Sequence, residues 1–236
     1  MRATVCLPTY NERENLPRMI EALRLVLRAG DRVLVIDDNS PDGTGEIADA
    51  LAAAHPFVEV LHRPRKEGLG RAYVAGFRHA LAGDAELVLE MDCDFSHDPE
   101  DVPRLIETAE NGADLVLGSR YVPGGGTRNW GLVRRLISRG GSVYTGLWLH
   151  MGVKDPTGGF KCFRRPVLER LDLDAITPRG YAFQIEMTYR VKRAGFRVVE
   201  IPITFVDRVV GQSKMSRAVV LEAIWRVPLL RVGGKA

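Results

Sequence analysis

Cysteine is scarce in this 236-residue sequence: Cys6, Cys93 and Cys162 stand far apart, each in an apolar or strand-like setting. Such spacing argues against a disulfide framework or a zinc cluster and fits a reducing, cytosolic setting. Long apolar runs are missing as well. Met1-Arg2 leads straight into Ala3-Thr4-Val5-Cys6-Leu7, too short a run for the core of a signal peptide. The longest apolar stretch, residues 143–153, is interrupted by Thr145, Gly146 and His150, and falls short of the ~20 apolar residues that span a bilayer. Net charge is only +3, and no block of like charge is long enough to serve as a nucleic-acid arm. Nucleic acid is therefore not an expected partner, and any basic surface must be local. The histidines, His55, His62, His79, His97 and His150, have no metal-binding spacing, and no Gly-x-Ser-x-Gly elbow occurs. These absences exclude metal-hydrolase and serine-hydrolase readings. Internal repeats and low-complexity segments are absent too.

What is present is a chain with 45% hydrophobic and 27% charged residues, enough to build one globular domain with a sizeable core. Short β-branched runs at residues 4–7, 33–36, 58–61, 87–91 and 115–117 alternate with helical patterns at 16–27, 46–54, 71–81 and 101–110. This order predicts an α/β fold, with right-handed crossovers and a mostly parallel sheet covered by helices on both faces. Ligands of such a sheet gather at the carboxyl ends of the strands. Past Gly118 the alternation stops. Pro123-Gly124-Gly125-Gly126 reads as a surface loop, or a mobile one able to close over substrate. Residues 130–151 read as two helical halves parted by Gly140-Gly141. The second half is apolar nearly all round and is expected in the core, with a lipid-facing role as the alternative. A last helix, residues 214–227, carries Trp225.

Glu90-Met91-Asp92-Cys93-Asp94-Phe95-Ser96-His97-Asp98-Pro99 is the most informative stretch. Asp92 and Asp94, at i and i+2 on a strand end, project to one side. Such a pair suits a hard divalent cation that in turn grips phosphate oxygens. Turn acids capping a helix at Pro99 are the plainer reading, a role Asp98 fills by itself. Asp37, Asp38 and Asp42 place three acids at a strand-to-helix junction, more than turn formation needs, where a carboxylate can accept from a base N–H or a ribose hydroxyl. Arg63-Pro64-Arg65-Lys66-Glu67-Gly68-Leu69-Gly70 lacks both the third glycine of a dinucleotide fingerprint and the Lys-Ser/Thr ending of a P-loop.

Taken in order, these motifs resemble a family 2 glycosyltransferase of the GT-A fold, of the dolichyl-phosphate (polyprenyl-phosphate) mannose synthase kind. The likeness runs nearly end to end. It rests on Pro8-Thr9-Tyr10-Asn11-Glu12-Arg13-Glu14-Asn15, on residues 37–44 and 65–72, on Met91-Asp92-Cys93-Asp94, and on Gly118-Ser119-Arg120-Tyr121 with Asn129-Trp130. Asp155-Pro156-Thr157-Gly158-Gly159-Phe160 and Gly211-Gln212-Ser213-Lys214 complete it. Many relatives carry Ser where Gly158 stands, so only Asp155 is carried over from its motif. The resemblance implies a single GT-A catalytic domain over residues 1–236, with a nucleotide-sugar half (1–118) and an acceptor half (119–236). It implies that Pro8, Tyr10, Glu12, Asp37, Asp38, Asp42, Gly70 and Cys93 bind the nucleotide sugar. Asp92, Asp94 and the weaker ligand Ser96 would hold Mg2+ or Mn2+. Arg120, Arg134 or Arg135, and Ser138 would meet the acceptor phosphate, while Arg208 and Lys214 would meet the donor phosphates. Asp92, Asp94, Arg120, Arg208 and Lys214 form the expected catalytic set.

The implied reaction moves mannose from GDP-mannose to a polyprenyl (dolichyl) monophosphate with inversion. Its partners are that donor, that acceptor and a membrane surface, with a membrane-anchoring subunit as a further candidate. The expected location is peripheral, on the cytoplasmic face of a membrane, with the segments around Trp130, Trp148 and Trp225 as contact candidates. Three rivals stand beside it: a glucosyl- or GlcNAc-type enzyme using a UDP-sugar, a transferase to a soluble or polysaccharide hydroxyl, and a non-catalytic nucleotide-sugar-binding subunit. Processive relatives typically carry Gln-x-x-Arg-Trp, which is missing here.

Overall fold

The structure is a computed structural model and describes residues 1–176, 180–207 and 227–228. Its elements run β1 (Ala3–Thr9), α1 (Asn15–Val26), β2 (Arg32–Asp37), α2 (Thr44–Ala54), β3 (Val58–His62), α3 (Leu69–Ala82), β4 (Leu87–Glu90), α4 (Val102–Glu110) and β5 (Leu115–Ser119). The second half adds β6 (Gly126–Arg128), α5 (Leu132–Leu149), β7 (Lys161–Arg164), α6 (Arg165–Arg170), α7 (Gly180–Arg193), β8 (Val198–Pro202) and β9 (Thr204–Val206). The strand–helix alternation expected up to residue 117 is borne out, with boundaries shifted by a residue or two.

Seven strands form one sheet in the order β3-β2-β1-β4-β7-β5-β8. All neighbours are parallel except β7, which lies antiparallel between β4 and β5. Period-two alternation sorts the central strands onto two cores. Cys6, Leu34, Ile36, Val88 and Phe163 face a cluster built with α3, α6 and α7. Val5, Leu7, Val33, Val35, Leu87 and Leu89 face a second cluster with α1, α2 and α4. Both faces are covered, as the near-continuous apolar runs of β1, β2 and β4 require. Strands from before and after residue 118 share this sheet, so the two halves are not separable layers.

Three expectations need correction. Residues 130–151 do not form two helices, because α5 runs unbroken through Gly140 and Gly141. Each glycine costs about 1 kcal/mol against alanine, which packing of the inner face at Ser142, Thr145 and Leu149 offsets. Nor is the second half of α5 core throughout: Val143, Leu147 and Trp148 are exposed. The Pro123 to Gly126 segment is a tight turn rather than a free loop. Gly125 donates its N–H to Val122 O and lies so close to the end of β5 that a Cβ would collide with the Ser119 carbonyl oxygen. It leads directly into β6, which pairs with β9. The expected helix at residues 214–226 lies outside the described residues.

Phe77 is fully buried, 5.6 Å centroid to centroid from Phe163 in an edge contact and 6.0 Å from Tyr73. Phe77→Ala should cost about 3–5 kcal/mol of stability, read as a lower urea midpoint with an unchanged denaturant slope.

Candidate active site

Three loops leave the carboxyl ends of β1, β2 and β4, and each contains a non-glycine residue in the left-handed region: Asn11, Asn39 and Phe95. Asparagine tolerates that conformation, whereas a bulky aromatic adopts it at a cost. At Phe95 the turn folds the chain so that Asp94 Oδ1 accepts from the backbone N–H (3.0 Å) and hydroxyl of Ser96. Arg18 lies over the Phe95 ring, 5.2 Å from its centroid. Downstream, Asp98 caps the single 3-10 turn Pro99–Asp101 by accepting from Glu100 N. The capping duty thus falls to Asp98, and both earlier aspartates face a cavity.

That cavity, about 290 Å³, opens where β1, β2, β4 and β5 end. Small-molecule sites begin at roughly this size. Pro8, Tyr10, Glu12 and Asp38 form one side, Asp92, Cys93 and Asp94 the floor, and Arg120 and Arg134 another side. The remaining expected residues that are described lie off its wall. Asp37 is consumed by its own turn, accepting from Thr9 Oγ1, Ser40 N and Ser40 Oγ. Asp42 caps α2 through Thr44 N and Oγ1, and also accepts from Arg13 N. Gly70 is buried in the first turn of α3. Ser96 is buried with its hydroxyl directed at Asp94, which makes it a brace for that carboxylate. Ser138 accepts from Tyr121 OH at 2.7 Å, and exposed Arg135 donates to Thr127 O. Of the pair Arg134 and Arg135, the structure brings Arg134 to the cavity: it donates to Asp207 at 2.7 Å and stacks 4.2 Å over Trp130. Arg208 and Lys214 lie outside the described residues.

Several residues lining the cavity or braced behind it escaped the sequence reading. Lys66, from the segment dismissed as a phosphate loop, sets its ammonium 3.6 Å from the centroid of Tyr10. Arg63 is buried and ion-paired to Asp38 across the β2 and β3 ends. Burial raises the Asp38 carboxyl above its ordinary value, against the pull of Arg63. His97 is stacked on Phe160 at 4.9 Å, and its Nδ1 accepts from the backbone N–H of Asp92 at 3.3 Å. Burial pushes its pKa down to about 4, so the ring is neutral near pH 7. Tyr73, whose phenol burial and Asp92 raise together, donates toward Asp92 Oδ1 at 3.5 Å. No local pattern marks these residues, since each acts through a partner distant in sequence.

Arg120 is more constrained than an acceptor-facing side chain need be. Its Nε and Nη2 donate to the two carboxylate oxygens of Asp155 at 2.7 and 2.6 Å, and its backbone N–H donates to the same carboxylate at 3.0 Å. Thr157 Oγ1 accepts from Nη2. Burial would raise the Asp155 carboxyl, but Arg120 outweighs it and holds the group below its ordinary value.

The donor set also fits a divalent cation. Asp92 and Asp94 supply hard oxygen ligands at the cavity floor, and among the described residues no third His, Cys, Asp or Glu joins them. Two carboxylates with open positions suit Mg2+ or Mn2+ held jointly by protein, water and substrate phosphates, rather than a closed structural site.

Comparison with known proteins decides the family. The model of Glycosyl transferase family 2 matches residues 4–172. The chain is a family 2 glycosyl transferase. It is 50% identical over 227 residues to an undecaprenyl-phosphate mannosyltransferase of Micrococcus luteus, covering 96% of this chain and 93% of the relative. A polyprenol monophosphomannose synthase of Mycolicibacterium smegmatis is 46% identical over 235 residues, 99% of this chain and 88% of the relative. The mannosyltransferase of Pyrobaculum calidifontis solved with GDP-mannose and Mn2+ superposes with a TM-score of 0.71 at 18% identity, over 100% of this chain and 65% of that one. Glucosyl-3-phosphoglycerate synthase of Mycobacterium tuberculosis, solved with phosphoglyceric acid, gives 0.72 at 22% identity, over 100% and 81%. These superpositions establish the fold of this family 2 transferase as that of GT-A glycosyltransferases.

The Arg120–Asp155 pair yields a pH prediction. A carboxyl lowered in the folded state stabilises the fold above its unfolded pKa, and the contribution is lost as pH falls through the folded value. Asp155→Ala removes the carboxylate that accepts from the backbone and guanidinium of buried Arg120 and should cost about 3–5 kcal/mol at pH 7. Denaturation curves at pH 7 and pH 3 should show the gap between variant and wild type narrowing in acid.

Proposed function

We propose that this transferase moves mannose from GDP-mannose to a polyprenyl monophosphate, with inversion at the anomeric carbon. The observation that carries the reading is one cavity with carboxylates on its floor and arginines on another side, in a chain half identical to a mannosyltransferase of that lipid class. In this reading Tyr10, Glu12 and Asp38 hold the nucleoside, and Asp92 and Asp94 face the diphosphate. Arg134 and Arg120 orient the acceptor phosphate, and Arg208 and Lys214 meet the donor phosphates. An acceptor oxygen attacks C1 from the face opposite the diphosphate. The new C1–O bond forms as the old one breaks, and its electron pair leaves on GDP. A phosphate monoester with second pKa of about 6 is largely dianionic at neutral pH, so no strong general base is needed. A Mg2+ or Mn2+ ion bound at Asp92 and Asp94 would offset the charge that develops on the leaving diphosphate.

The acceptor's lipid tail calls for a membrane, and α5 supplies a surface for one. Its inner side carries Arg134 to the cavity, while Leu132, Val133, Leu136, Ile137, Val143, Leu147 and Trp148 are exposed. At 100° per residue these seven share one face. Arg135 and Arg139 are exposed beside it, placed for anionic headgroups. No helix among the described residues is long and apolar enough to cross a membrane. The reading is therefore a peripheral enzyme with α5 lying in the cytoplasmic interface.

The deciding assay measures lipid-extractable label from GDP-mannose, UDP-glucose and UDP-GlcNAc with polyprenyl phosphate, with Mg2+, Mn2+ or EDTA. Label from GDP-mannose alone, lost with EDTA and reduced on the order of 100-fold or more in Asp94→Ala, is expected. Label from a UDP-sugar would keep the mechanism and replace the donor. Independently, Leu136→Glu with Leu147→Glu should weaken sedimentation with anionic vesicles by about 10-fold or more, with melting temperature unchanged.

A further inference from the structure

Gln184, on α7, is a buried polar residue that also lines the cavity. Lys161, the first residue of β7 and fully buried, donates its ammonium to the Gln184 backbone oxygen at 2.8 Å and to Oε1 of its side chain. An ammonium only donates, so it fixes the amide with oxygen toward Lys161 and nitrogen away. That nitrogen, Nε2, is buried and has no hydrogen-bond partner.

Gly159, another lining residue, shows where Nε2 points. A Cβ on Gly159 would stand 3.5 Å from Nε2 and 4.0 Å from Cδ, so the nitrogen is the nearer end of the amide. Gly159 and Gln184 both line the cavity, so with no side chain on Gly159 the amide lies immediately behind the cavity wall. Glu90 is the rival acceptor. Its carboxylate is buried nearby with no hydrogen bond of good geometry, and burial pushes its pKa up to about 7 against the Lys161 charge and a side-chain hydrogen bond from Gln184. An amide nitrogen carries two hydrogens, so a contact with Glu90 still leaves one for a ligand. A buried donor without an acceptor is costly, and native structures rarely leave one unless something else satisfies it.

We propose that Gln184 Nε2 donates a hydrogen bond to a hydroxyl oxygen of the transferred sugar, making Gln184, held by Lys161 and uncovered by Gly159, a determinant of donor specificity. The proposal rests on the mannosyl-transfer reading above. Asp92 and His97 line the cavity together with Gly159 and Gln184, and Arg120 and Arg134 complete it. A sugar whose C1 lies between the donor diphosphate and the acceptor phosphate would place its ring in this space.

The test compares GDP-mannose with its 2-, 3-, 4- and 6-deoxy analogues on wild type, Gln184→Met and Gly159→Ala. In wild type, removal of one particular hydroxyl should lower kcat/KM by roughly 10- to 100-fold, the usual penalty when a site built to bond a hydroxyl meets an analogue lacking it. Both variants should lose a similar factor on GDP-mannose and no longer discriminate against that one analogue. Gly159→Ala keeps the Lys161–Gln184 contact and adds a methyl at ordinary contact distance, so it carries the test alone if Gln184→Met does not fold. Variants with wild-type kinetics, or with equal losses on every analogue, would overturn the proposal. Should wild type use another nucleotide sugar, the donor reading falls, and the deoxy series of that sugar decides on Gln184.

Discussion

Asp155 has no exposure to solvent, and its hydrogen bonds join three segments of the chain beside the cavity. Its carboxylate takes the Arg120 guanidinium and backbone from the end of β5, and Thr157 Oγ1 from its own loop. Its N–H donates to Glu200 on β8. Asp155, through its carboxylate and its backbone N–H, thus ties β5, β8 and the approach to β7 into a single wall. The charge balance has a functional side. In the proposed reaction, a guanidinium already neutralised on one edge would attract an acceptor phosphate less than a bare one, yet its position is fixed before any ligand arrives. Preorganisation of this kind replaces reorganisation during the reaction.

The donor side depends on backbone rather than on ion pairs. Left-handed turns at Asn11, Asn39 and Phe95 fold three loops back over the strand ends. The bulky Phe95 sits between the Asp94 carboxylate and the Ser96 brace, where the local strain holds the geometry of that carboxylate. The neutral His97 ring, clamped between Phe160 and Phe205, fixes the Asp92 backbone from below. Aromatic packing therefore sets the carboxylate floor as firmly as the strands do.

Much of this was legible in the chain. Short, near-continuous β-branched and apolar runs revealed β1, β2, β4 and β5, as strands buried on both faces require. The Asp92 and Asp94 spacing and the arginines near residue 120 followed from chemistry and family likeness. What stayed hidden was non-local. Lys161-Cys162-Phe163-Arg164 carries a charge at each end and is too short to announce a central strand, and only pairing with β4 and β5 makes it one. The Asp38–Arg63 and Lys161–Gln184 pairs join residues 25 and 23 positions apart. The second half of α5 read as apolar nearly all round, and that composition could not say whether protein or lipid would cover it.

The inserted strand also bears on how the chain acquires its shape. β4 and β5 bracket the carboxylate floor yet never touch, because β7, more than forty residues further along than β5, fills the gap between them. Until residue 164 has left the ribosome, both strands present unpaired edges, which are templates for wrong partners. Closing that gap is a long-range step, with the slow kinetics that high contact order brings. The first 119 residues supply the Asp92 and Asp94 floor, but the enzyme's cavity is lined as far along as Asp207, so a nascent chain has little opportunity to bind its ligands early.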